Sequence, residues 1–228
     1  MIVAERKPMD EILEMLEPYR KVLVLGCGGC VTVCLTGGEK QAEMLASQLK
    51  LAASQKGRKL ETAFDCITRQ CEKEFFANLR EDPRKHDVVL SIACGAGVGY
   101  MSEVFPDVTV LPGMNTTFLG SNVAKGIWEE YCRGCGDCAL AWTGGICPIA
   151  RCAKSLINGT CGGTNKGKCE INPEMECGWL LIYKRLTGLG KLENYRKLRP
   201  PRDNRKDRGK GVRRLVLQEM VEEESKNE

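Results

Sequence analysis

A single histidine, His86, stands among 228 residues. That scarcity removes a general-base histidine motif and any zinc site built from two cysteines and two histidines. Its expected place is a surface position at a strand start, not a metal site. Aromatics make up only 6% of the chain, and no basic stretch carries aromatic interleaving or a nucleic-acid fold signature, so no nucleic-acid partner is expected. No stretch approaches ~20 apolar residues, which excludes a helical membrane span. The opening MIVAERKPMDEILEML is interrupted by charges and has no signal-peptide core. A cytoplasmic location with reduced thiols is therefore expected, and the glycosylation triplets starting at Asn115 and Asn158 carry no meaning there. Dinucleotide fingerprints fail in detail: position 31 is Val31 after Gly26 and Gly28, and position 100 is Tyr100 after Gly95 and Gly97.

What the chain has in excess is cysteine, 14 copies, alongside 25 glycines. Three chemistries compete for that excess: a disulfide framework, structural zinc and iron–sulfur ligation. Disulfides fit least, because the expected compartment is reducing and the hydrophobic front half can build a core of its own. The net charge is only +4, but Lys184 to Arg214 is dense in lysine and arginine, and the stretch from Glu219 is rich in glutamate. A solvated or partner-docking extension is the plain reading of that tail.

The fold class expected is α/β: a parallel, Rossmann-like sheet with crossover helices, then a small Cys-rich metal-cluster domain, then a helical or extended C-terminal tail. The domains are placed at 1–115, 116–192 and 193–228. In the first, strands are expected at 21–25, 60–64, 86–93 and 108–111, with helices at 9–18, 39–56 and 72–81. Residues 115–127 read as a connecting arm. From Tyr131 to about Gly178 no apolar period is sustained, and such a stretch needs a metal centre as its core. Residues 179–192 read as a helix, and 212–224 as an amphipathic helix able to dock on a partner.

Position organises the first cysteine group. Cys27 and Cys94 sit just past the ends of expected strands, and Cys66 and Cys71 follow another; in a parallel sheet those loops share one edge, where such folds place ligands. Cys30 and Cys34 complete the group. Glycines 26, 28, 29, 95 and 97 would let backbone N–H groups approach cluster sulfurs. Buried structural cysteine accounts best for Cys34 and Cys66. The second group is Cys132, Cys135 and Cys138 in a C-x2-C-x2-C run, then Cys147 before Pro148, then Cys152, Cys161, Cys169 and Cys177. Three adjacent thiols cap one face of a cubane, and the run followed by C-P is a ferredoxin idiom with its fourth cysteine further off than usual. Zinc held by four thiolates stays open as the alternative, although such sites more often pair two C-x2-C knuckles. Eight cysteines exceed one site: two centres, a cluster plus zinc, or a cluster plus spectators all fit.

Over about residues 1–195 the chain resembles the small iron–sulfur subunit of the heteromeric methylenetetrahydrofolate reductases of acetogenic bacteria. The resemblance lies in MIVAERKP, KVLVLGCGGCVTVC with TGGEK, RQCE, LSIACGAGVG, the C-x2-C-x2-C block and TGGICPIARCAKSLINGTCGG. It implies a non-catalytic electron-transfer subunit beside a separate catalytic subunit bearing FMN, which reduces methylene-tetrahydrofolate to methyl-tetrahydrofolate. Ferredoxin or another donor subunit would supply the electrons. It further implies [4Fe–4S] clusters, two of them, with a third centre or a zinc as a possible addition. The front motif matches at Cys27, Cys30, Cys71 and Cys94, and the rear at Cys132, Cys135, Cys138, Cys147, Cys152 and Cys161. Cys34 is a further candidate ligand, whereas Cys66 falls outside the family pattern. A zinc-binding structural domain, or one that handles folate or a methyl group, is the competing function.

Overall fold

The computed structural model describes residues 1–207 and 212–218. The chain divides into two compact units, Met1–Tyr131 and Cys132–Glu228. In the first, β1 (Ile2–Arg6) and α1 (Met9–Met15) lead into β2 (Lys21–Cys27), the short α2 (Cys30–Val33) and α3 (Glu39–Gln55). Then come β3 (Glu61–Ile67), a 3-10 segment at Lys73–Asn78, β4 (Val88–Ser91), α4 (Gly95–Val104) and β5 (Val110–Pro112). Strands β2, β3, β4 and β5 form a parallel sheet in the order β3-β2-β4-β5. The first strand of that sheet thus has its successors on opposite sides, which creates a topological switch point between β2 and β4.

Alternation along β2 builds two cores. Val22 and Val24 face α1 and α3, where Ile12, Leu16, Leu45 and Leu49 are buried. Leu23 and Leu25 face the other way, onto Phe76, Met101 and Phe105. Burial on both faces is what a central parallel strand requires, and it explains the unbroken apolar run KVLVL. Each such side chain contributes about 1.5–3 kcal/mol on leaving water. The helix over α3 follows from Ala42, Leu45, Ala46, Leu49 and Ala53, all buried on one stripe.

Three expectations are corrected. The presumed connecting arm is a hairpin, β6 (Met114–Ala124) and β7 (Ile127–Cys132), which pairs with β1 as an antiparallel sheet of order β1-β6-β7. The expected α-helix at 72–81 is a 3-10 segment that ends at Asn78, because the Asp65 carboxylate takes the backbone N–H groups of Arg80 and Glu81. The glycine-rich stretch after Cys94 is not an open loop but the start of α4.

The second unit holds α5 (Pro148–Arg151), α6 (Gly178–Gly188) and α7 (Glu193–Arg196). Its apolar cluster is small: Trp179, Ile182 and Leu186, on one stripe of α6, with Ile146, Leu156 and Tyr195 against them. The amphipathic helix expected at 212–224 is not formed over 212–217, where Val212 and Leu215 lie exposed, and 219–224 fall outside the described residues. Among the described residues, no helix is long and apolar enough to cross a membrane.

Candidate functional site

The front site grows from the C-terminal edge of the parallel sheet. Cys27 is the last residue of β2, Cys71 lies four residues beyond β3, and Cys94 three beyond β4. Register aligns these ends: Cys27 stands opposite Ile67, and Leu25 opposite both Asp65 and Ser91. The three loops therefore open side by side, with Cys27 and Cys94 flanking the switch point.

A buried polar bracket fixes them there. Gln70, with no exposed surface, donates from Nε2 to the carbonyls of Leu25 (3.0 Å) and Gly26 (2.9 Å). Its Oε1 accepts the Ser91 hydroxyl at 2.6 Å, and Ser91 Oγ accepts the Ala93 N–H at 3.3 Å. One amide thus ties together the residues preceding Cys27, Cys71 and Cys94. Gly97 in α4 seals the bracket: a Cβ there would stand 2.9 Å from Ala93 Cβ and 3.0 Å from Gln70 Cβ, so only glycine lets the helix close over it. Gly95 spends its N–H on Thr116 Oγ1 at 2.8 Å. These two glycines serve packing and turn geometry, where the sequence suggested amides aimed at sulfur.

The edge thiols also act on one another electrostatically. The Cys71 thiol is pushed up by burial and then by the charges of Cys27 and Cys94. Arg69, paired with Glu72 at 2.6 Å, also feels the charges of Cys71 and Cys30. Cys30 opens α2, three residues past the end of β2. Cys66 is pushed up to about 11 by burial, the Cys27 charge and the nearby carboxylates of Glu39 and Asp65, so it stays a protonated thiol near neutrality. Cys34 packs into the core, its Sγ 3.6 Å from Val31 O and 3.2 Å from Thr36 Oγ1. Asp65 is fully buried, and burial alone would raise its carboxyl. Hydrogen bonds from the Arg80 guanidinium (2.8 Å) and from the N–H groups of Glu81, Cys66 and Arg80 outweigh that and hold it below the usual carboxylate range.

The second unit distributes its eight cysteines differently. In the C-x2-C-x2-C loop, Cys132 Sγ accepts the Gly134 N–H at 3.3 Å, Cys135 is buried, and Cys138 is exposed. The basic tail returns to this loop. Arg213 Nη1 donates to Gly134 O at 2.7 Å, and Lys206 Nζ lies 3.6 Å from Asp137, which Arg199 also approaches at 4.0 Å. Asn158 anchors the tail through two hydrogen bonds with the Arg199 backbone. Over these residues the tail is a strap on its own unit, where a solvated or partner-docking extension was expected. Cys147 and Cys152 cap the two ends of α5, whose Pro148 is pre-set for a first helical position. Cys152 then joins Cys161, Cys169 and Cys177 around one cleft. Cys177 caps α6. Burial would raise its thiol, but the Thr164 hydroxyl and the N–H groups of Leu180 and Trp179 hold it below the usual thiol range.

Among the described residues, no three His, Cys, Asp or Glu side chains meet as a site for one metal ion. The donor chemistry is soft thiolate throughout, which suits iron–sulfur clusters and zinc; a cubane holds its thiolates further apart than a single ion does.

Sequence reasoning found the edge cysteines but missed Gln70, Ser91 and Asp65. Nothing near them in the sequence marks a polar side chain as buried. An α/β unit with thiols at its sheet edge, followed by a cysteine-dense unit with little apolar core, is the class of protein these features define. Residues 111–205 match the family model described as Methylene-tetrahydrofolate reductase C terminal. That stretch takes in all eight cysteines of the second unit. Neither the curated proteins nor the solved structures yield a match.

Proposed function

We propose that the chain is an iron–sulfur electron-transfer subunit of a methylenetetrahydrofolate reductase. It would pass electrons from ferredoxin or another donor subunit to the FMN of a separate catalytic subunit that makes methyl-tetrahydrofolate. The observation that carries this reading is the placement of Cys27, Cys71 and Cys94 at one sheet edge over the Gln70–Ser91 bracket, with Cys30 opening α2 just past β2. The family match over 111–205 supplies the folate context.

Bound there, a cluster supplies one-electron steps that the polypeptide only positions and tunes. The residues have the matching duties. Cys27, Cys30, Cys71 and Cys94 would be the front ligands, and Gln70 positions three of their loops through its hydrogen bonds. Cys66 and Cys34 remain thiols of the sheet and core. Crowding thiolates at one edge is unfavourable by itself, and a bound cluster would offset that repulsion.

The test is reduction of the full chain, purified without oxygen, by a low-potential donor with EPR detection. Reversible reduction with a cluster signal is expected, and its loss in Cys71→Ser together with Cys94→Ser would locate the front centre. A protein that carries clusters yet cannot be reduced would contradict the relay.

A further inference from the structure

The cleft of the second unit groups cysteines that no motif joins. Cys152, Cys161, Cys169 and Cys177 line it, with Leu156 and Trp179 among its walls. Their spacing contains no C-x2-C knuckle, so the grouping is a product of the fold.

Each thiol is delivered by a distinct local device. Cys152 closes α5, and Cys177 opens α6. The first residue of α6, directly after that thiol, is Gly178. A Cβ on it would lie 2.4 Å from Arg151 O and 3.1 Å from Cys152 N, so only glycine lets the start of α6 approach Cys152 this closely. Cys169 and Cys177 sit on opposite arms of a small antiparallel turn. It is pinned by Cys177 N–H to Gly167 O (2.9 Å), Cys169 N–H to Met175 O (2.9 Å) and a bridge between Lys168 and Glu176. Cys161 is joined to two other walls through Glu170, which lies 3.6 Å from its Sγ and pairs with Lys154. Backbone donors also face the sulfurs. Gly163 N–H lies 3.4 Å from Cys161 Sγ, and the N–H groups of Trp179 and Leu180 address Cys177. Such donors stabilise thiolate ligands and tune a cluster.

We propose that Cys152, Cys161, Cys169 and Cys177 form a four-thiolate site for an iron–sulfur cluster, separate from any centre held by the Cys132–Cys138 loop. This assignment rests on the electron-transfer reading and sharpens it: Cys169 and Cys177 become ligands, and Cys152 and Cys161 part company with the C-x2-C-x2-C block. The thiols line the walls of a cleft instead of meeting at one point, and paired knuckles are missing; both features suit a cubane better than a lone zinc. Each thiol gives up its proton as it takes iron.

The experiment compares the full chain, purified without oxygen, with Cys169→Ser/Cys177→Ser and with Cys132→Ser/Cys135→Ser. Iron, sulfide and zinc are counted per chain, and alkylation of each cysteine under native conditions is read by mass spectrometry. The first variant is expected to lose about four iron and about four sulfide per chain, while Cys27, Cys71 and Cys94 stay protected. The second is expected to leave Cys152, Cys161, Cys169 and Cys177 protected. The wild-type protein provides a readout free of folding defects: those four cysteines should resist alkylation together and become reactive together when iron is stripped. Unchanged iron in Cys169→Ser/Cys177→Ser, independent reactivity of the four, or zinc bound by them would overturn the assignment while leaving the relay intact. A wild-type protein without iron would overturn both.

Discussion

The two units solve the problem of holding thiols in opposite ways. In Met1–Tyr131 the sheet is covered on both faces, and the fold stands on Leu, Ile, Val and Phe packing. The cysteines perch on its edge and are positioned by Gln70 and Ser91, which are already satisfied by hydrogen bonds. In Cys132–Glu228 the apolar cluster amounts to one stripe of α6, and eight cysteines occupy the surrounding turns. The lesson is one of dependence. The first unit builds its edge from its own packing, whereas the second has little apolar core, which on the proposed reading metal would complete.

Removing metal should therefore separate the units most sharply. Stripping iron from the full chain is expected to abolish hydrogen-exchange protection across 132–196 while the amides of β2 and β4 keep theirs; equal loss in both units would break the comparison. The converse is a core deletion in the first unit. Leu23 has no exposed surface, and Leu23→Ala should cost about 2–5 kcal/mol in denaturant unfolding of that unit, with the alkylation pattern of Cys152 to Cys177 unchanged.

Asp65→Asn is expected to cost about 2–3 kcal/mol, because its carboxylate serves four donors from a buried position. Since the folded carboxyl is held below its ordinary value, its contribution is present above the usual carboxylate range and is lost as pH falls through the lowered one. Urea titrations between neutral and acid pH should show a steep acid limb that the Asn variant lacks. Gln70→Leu should cost about 1–3 kcal/mol and reduce iron in the front site alone, since it leaves the Gly26 carbonyl and Ser91 hydroxyl without this partner. The smallest effect is expected from deleting 197–228, which removes the strap of Arg199, Lys206 and Arg213. Cys132, Cys135 and Cys138 should then alkylate several-fold faster, with iron content otherwise kept.

How much of this was legible in the sequence follows the same division. The parallel strands were readable because apolar runs such as KVLVL end abruptly in Gly and Cys, and the edge cysteines followed from strand order alone. The antiparallel sheet was not, because its β1 pairs Ile2 with Leu119, and the polar Asn-Thr-Thr opening of β6 shows no apolar alternation. Helix α4 was hidden by Gly95, Gly97 and Gly99, poor helix formers, of which Gly97 packs against Gln70 and Ala93. The match of 111–205 to the family model described as Methylene-tetrahydrofolate reductase C terminal agrees with the resemblance over that stretch alone, and the iron–sulfur chemistry is a proposal. In the second unit, the family resemblance set Cys152 and Cys161 with the C-x2-C-x2-C run, whereas Gly178 and the 165–177 turn bring them to one cleft with Cys169 and Cys177. Such three-dimensional grouping leaves no mark on spacing.

The central claim is that these thiols hold redox-active iron. Iron, acid-labile sulfide and zinc should be measured, with the visible spectrum, on the full chain purified without oxygen. Iron and sulfide in equal amounts with a broad brown absorbance are the predicted result, and their ratio to protein counts the clusters. A colourless protein carrying zinc and no sulfide would contradict the account and make both cysteine groups structural.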